Sequence, residues 1–112
     1  MDKIEYFKDF LHEISSANQS KRKKIIKLCS SDKIKIIYEI FINLKSVRLT
    51  DKDEKILKAH QKPIRNFFKK KLTLEEAKNF FLKHCRIIPY VIKVVVCKYL
   101  EIEICDWLLN HG

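Results

Sequence analysis

The sequence predicts an all-α fold: a compact bundle of five to six short helices forming one domain over residues 1–112. Three observations carry that prediction. Glycine occurs once, at Gly112, whereas the tight turns of a β fold draw on it repeatedly. Apolar residues recur at intervals of three and four along most of the chain, the period of a helix face. Ser and Thr followed by acidic residues, the pattern of a helix start, precede several of these stretches. A hydrophobic fraction of 46% can fill a modest core and argues against disorder, despite 34% charged residues.

The first helix is expected over residues 2–16, where Ile4, Phe7, Leu11 and Ile14 share a face that Phe10 widens. Ser15, Ser16, Asn18 and Ser20 end it in a polar break. A short second helix over 20–29, capped by Ser20, would turn Ile25, Ile26, Leu28 and Cys29 inward. Its first turn is Lys21-Arg22-Lys23-Lys24. Cations there oppose the helix dipole by about 0.3–1 kcal/mol each, which points to a use for them outside the fold. Residues 32–46 read as a third helix, capped by Ser30 or Ser31, with Ile34, Ile37, Phe41 and Leu44 as its inner stripe.

Residues 51–71 are the most informative. Thr50 is a good N-cap, and Asp51, Asp53 and Glu54 suit the positive end of the helix. At ~100° per residue, Lys52, Lys55, Lys58, Lys62, Arg65 and Lys69 fall within one sector of about 140°. Ile56, Leu57, His60, Ile64, Phe67 and Phe68 occupy the opposite sector. Pro63 removes a backbone donor and clashes with the preceding turn, so a kink or a break is expected near Gln61-Lys62. Thr73-Leu-Glu-Glu76 is a capping box that starts a helix over 74–86. Residues 89–110 read as a last helix, with Pro89 at its start. Val94-Val95-Val96 is β-prone and Leu100-Glu-Ile-Glu-Ile alternates, but a lone strand would have nothing to pair with.

Charge is unevenly distributed around a formal total of +10. Residues 1–19 carry four acids and two bases, and residues 99–112 carry three acids and no Lys or Arg. Residues 20–98 carry 22 bases against seven acids, a net +15. A basic middle between acidic ends points to a polyanionic partner. An AT-rich coding sequence would also enrich Lys and Ile, of which the chain has 20 and 16.

Catalytic and metal-binding constellations are weak. His12, His60, His84 and His111, with Cys29, Cys85, Cys97 and Cys105, lack the short paired spacings of a structural zinc site. The neighbours His84 and Cys85 would point to different sides of a helix. No Gly-rich loop is present to cradle a phosphate. The expectation is therefore a protein that is not an enzyme, with no cofactor, no metal and no small-molecule substrate. The start of the chain lacks the apolar run of a secretory leader. Its most apolar stretch, Ile87 to Cys97, is interrupted by Lys93 and falls short of the ~20 residues of a membrane span. An intracellular, soluble protein is expected, with reduced thiols.

Three stretches, SKRKKIIKLCSSDKIKIIYEIFINL, LTDKDEKILKAHQKPIRNFF and KKKLTLEEAKNFFLKH, together resemble a group of small basic proteins over residues 20–84. These are encoded by Maverick/Polinton-type DNA elements and by adenovirus-like or adintovirus-like viruses. The resemblance implies a virion-associated, DNA-binding or DNA-condensing role, with the nucleus or virion as its place. The chain departs from that pattern at Glu75-Glu76, where the group is basic, and in residues 85–112, which replace a Gly-Gly hydrophobic tail.

The leading expectation is nonspecific binding of DNA or RNA through phosphate contacts from Lys21, Arg22, Lys23, Lys24, Lys52, Lys55, Lys58, Lys62, Arg65, Lys69 and Lys70. Only Arg65 offers a bidentate fork on the stripe, so base reading is not expected. Phe67 and Phe68 lie opposite the stripe, which argues against a base-stacking platform. The alternative is a protein-interaction adaptor or homodimer that uses the hydrophobic segment Ile87–Leu109.

Overall fold

Amphipathic segments of five to thirteen residues cannot hold themselves together in water, so each must bury a face against its neighbours. The computed structural model describes residues 2–100 and shows how they do so. Eight helices follow one another: α1 Asp2–Tyr6, α2 Lys8–Ser16, α3 Gln19–Leu28, α4 Ser31–Asn43, α5 Asp51–Lys58, α6 Gln61–Phe68, α7 Leu74–Lys83 and α8 Ile88–Leu100. No strand occurs among the described residues. The all-α expectation holds, and six expected helical segments became eight helices because two of them divide. Residues 2–16 split at Phe7, which sits at φ −97°, ψ 16°. Residues 51–71 split at Ala59 and His60, with His60 at φ −116°, ψ 19°.

The second split has a clear cause. Proline lacks an N–H, and within an unbroken helix its ring would clash with the carbonyl four residues back, that of Ala59. Starting a new helix at Gln61 puts Pro63 in the first turn, where no N–H is required. The Ile64 N–H then donates to the His60 carbonyl at 3.2 Å.

Helix starts follow the side-chain chemistry closely. Asn18, rather than Ser20, caps α3, accepting from the Lys21 N–H at 2.8 Å. Ser30 caps α4. Thr50 and Thr73 each form a reciprocal capping box, with Asp53 and Glu76 as the returning carboxylates. Burial raises the Asp53 carboxyl, but hydrogen bonds from Thr50 and the Lys98 ammonium at 3.3 Å outweigh it and hold the group below its ordinary value. Glu76 is drawn down to about 2, first by Lys70 at 2.7 Å and then by Thr73.

At the centre, α8 packs against α4 and α2. Ile88, Val91, Ile92, Val94, Val95 and Val96 are all buried, so this helix is apolar nearly all round, as a central helix must be. The β-prone valine run is helical because it is enclosed by other helices. A cluster of rings joins α4, α6 and α7: Phe41 lies 5.2 Å from Phe67 and 5.0 Å from Phe81, and Phe67 lies 5.1 Å from Phe80. The Cα radius of gyration, 13.1 Å, matches a compact chain of ~100 residues. No helix among the described residues is long and apolar enough to cross a membrane.

Two packing expectations are corrected. Leu28 was expected inside but is 86% exposed, because α3 ends there and, of its apolar side chains, only Ile26 is fully buried. Ile56 is likewise exposed, at the edge of the α5 apolar face. Of the segment expected as an alternative interface, Ile87 to Val96 contribute seven side chains to the protein's own core, while Tyr90 is exposed. The rest of that segment, 101–109, lies outside the described residues.

Candidate nucleic-acid interface

The basic stripe is built on α5 and α6, and two buried side chains orient it. Leu57 and Phe67 are buried on the inner flank, Phe67 within the ring cluster. With that flank anchored, Lys52, Lys55, Lys58, Lys62 and Arg65 must point outward, and all five are exposed, as are Lys69 and Lys70 just beyond α6. Asp53 provides a second anchor. It is only 5% exposed and ties the start of α5 to Lys98 on α8.

Ion pairing leaves most of these cations available. Ion pairs between described residues include Lys70 with Glu76 and Lys98 with Asp53. Lys70 therefore shares its charge with a carboxylate, while the other six have no described acidic partner. The helix break divides the stripe, with Lys52, Lys55 and Lys58 on α5 and Lys62 and Arg65 on α6.

The first basic tract behaves differently. Lys21, Lys23 and Lys24 are exposed on α3, but Arg22 is 7% exposed and turned into the fold. Its Nε donates to the Ile14 carbonyl at 2.8 Å, and Nη1 donates to the Cys85 carbonyl at 3.2 Å. Nη2 donates to the Ala17 carbonyl, with a longer 3.5 Å contact to that of Ser15. These are the unsatisfied carbonyls at the end of α2 and in the turn after α7, where partial negative charge collects. Burial lowers the Arg22 pKa from its ordinary value. Arg22 is therefore a structural residue, and its expected role as a phosphate contact is corrected. The two tracts also rest on different supports, since α3 packs on α2 and α7 while α5 packs on α8.

Next to the stripe is a feature the sequence did not reveal. An open groove of about 570 Å³ runs between the end of α4, the following connection and α5–α6. Leu44, Leu49, Leu57, Ile64 and Phe68 make its apolar floor. Lys58 and Arg65 of the stripe form part of its rim, together with Lys45. Lys45 Nζ lies 4.5 Å from the centre of the Phe68 ring. Glu54 and Gln61 complete the edge. Periodicity could not have found Lys45 or Leu49, because they sit in or next to a connection and meet the stripe only in three dimensions. Lys71, exposed beside Lys70, was missed although the Lys69-Lys70-Lys71 run shows it.

Among the described residues the histidines and cysteines do not gather. His60 stacks on Tyr90 with ring centroids 5.7 Å apart, and Cys85 is buried while Cys29 is half-buried. Burial lowers the pKa of His84, with Lys83 acting the same way. Among the described residues, no three His, Cys, Asp or Glu side chains come together as a metal-binding group. Comparison with family models, with curated proteins and with solved structures finds no match for this chain.

Proposed function

We propose that this protein binds nucleic acid without reading its sequence, through phosphate contacts from Lys52, Lys55, Lys58, Lys62, Arg65 and Lys69. The observation that carries this reading is the set of six exposed cations along α5, α6 and the residue that follows, none paired with a described carboxylate. Their opposite flank is pinned by Leu57 and Phe67, so their charge faces outward. Lys outnumbers Arg five to one in this set, which suits point-charge contact with phosphates more than bidentate contact with base edges. Exposed Lys21, Lys23 and Lys24 add to the same field from α3. The resemblance of residues 20–84 to basic proteins of Maverick/Polinton-type elements points to the same chemistry and would place the protein with viral or mobile-element DNA.

Six phosphate contacts imply that affinity falls roughly 10³-fold between 50 and 200 mM salt. The test is the combined variant Lys55→Glu, Lys58→Glu, Lys62→Glu and Arg65→Glu. Binding should be lost while circular dichroism stays helical. Unchanged affinity for duplex and single-stranded DNA and RNA would overturn the reading.

A further inference from the structure

A helix that only tracked phosphates would need nothing beside its cations. Here the stripe borders an apolar groove, and Lys58 and Arg65 belong to both. The sequence places Phe68 opposite the stripe. The structure shows Phe68 lining a groove whose rim is Arg65, one turn earlier on the same helix. A ligand that satisfies both surfaces needs an anionic part and a flat or bulky apolar part close together. In a duplex the bases are stacked and paired inside, so only the phosphates can be met. In a single strand each phosphate carries an unstacked base free to turn aside.

We propose that the groove takes an unstacked nucleobase of a single-stranded nucleic acid whose phosphates lie on Lys58 and Arg65, which makes single strands the preferred ligand. This rests on the proposed phosphate-binding role of the stripe. Volume suits it, since about 570 Å³ exceeds what one base requires and leaves the base free to be any of the four. The floor provides aliphatic side chains and the Phe68 ring against which a base face packs. At the rim, Gln61 can donate to or accept from a base edge without selecting one. Charge complementarity favours this occupant, because Lys45, Lys58 and Arg65 outnumber the single carboxylate, Glu54.

The experiment compares an oligothymidylate of about 15 nucleotides with a duplex of the same length at matched salt. One inserted base should favour the single strand about tenfold. Leu49→Glu places a carboxylate in the groove floor from a connection outside the helices, and should lower single-strand affinity more than duplex affinity, so that the preference is lost. Phe68→Tyr, which keeps the ring, should retain the preference. Methyl resonances of Leu49 and Ile64 should shift with the oligothymidylate and not with the duplex. Equal affinities for both strands, unaffected by Leu49→Glu, would overturn the groove proposal and leave the stripe standing. Methyl shifts with dodecanoate or an acidic amphipathic peptide, but none with the oligothymidylate, would overturn it in favour of those occupants. Loss of salt-dependent binding to every nucleic acid is a separate outcome, and it overturns the phosphate reading together with the groove proposal.

Discussion

Two basic tracts of similar composition are set differently into the fold. On α5–α6 every stripe cation faces solvent, because Leu57 and Phe67 fix the inner flank. On α3 one of four consecutive cations, Arg22, turns inward and joins the end of α2 to the turn after α7. The difference lies in what surrounds each helix. An exposed helix start can shed Lys side chains into water, whereas a corner where carbonyls converge needs a donor with several N–H groups in a fixed plane. A run of charge in a sequence therefore counts cations without distinguishing those left in solvent from those that hold the fold.

The contrast can be broken most forcefully at Arg22. Replacing it with Ala orphans the carbonyls of Ile14, Ala17 and Cys85, and should cost about 3 kcal/mol in urea denaturation. Arg22→Lys should recover only part of this, since one ammonium cannot span all three. A value near zero would return Arg22 to the surface set.

A smaller effect separates the exposed halves. Lys21→Glu, Lys23→Glu and Lys24→Glu together should weaken nucleic-acid binding by no more than about tenfold, well short of the stripe variant. Thermal stability should hold or rise slightly, because an acid near a helix start favours the dipole. A loss of binding equal to that of the stripe variant would make the two tracts one surface.

Thr50→Ala removes the cap that starts the stripe and should lower stability by about 1 kcal/mol. Equilibrium unfolding measures this directly. The smallest effect is a pH dependence at Glu76. Its folded pKa, about 2, is below its ordinary 4.5, so its contribution is complete above 4.5 and is lost as pH falls from there toward 2. Glu76→Gln keeps the reciprocal hydrogen bond without the charge and should flatten the stability profile across that window.

Much of the fold was legible in the sequence. The N-cap at Thr50, the capping box at Thr73 and the inner stripe of α4 are local signals, and they appear where local chemistry puts them; the return of Asp53 to Thr50 was not read. Pro63 announced its break, which fell at Ala59–His60, just before the expected site. What could not be read depended on contacts between distant parts of the chain. Arg22 looks like any surface cation until Cys85, 63 positions away, is placed beside it. The groove exists only once Leu44 and Leu49 meet Leu57 and Ile64. Leu28 was misplaced because a short helix can end before its last apolar residue reaches cover.

The Arg22 contacts also bear on how the molecule comes apart. Its guanidinium answers to peptide carbonyls, which do not titrate, so those contacts themselves neither gain nor lose a proton across the acid range. The starts of α5 and α7 depend instead on Asp53 and Glu76, both of which stop helping once protonated. Acidification should therefore loosen one side of the protein first. In hydrogen exchange at low pH, amides at the start of α5 should lose protection ahead of those around α2 and α3, so the basic arm would come free while the far corner is still closed.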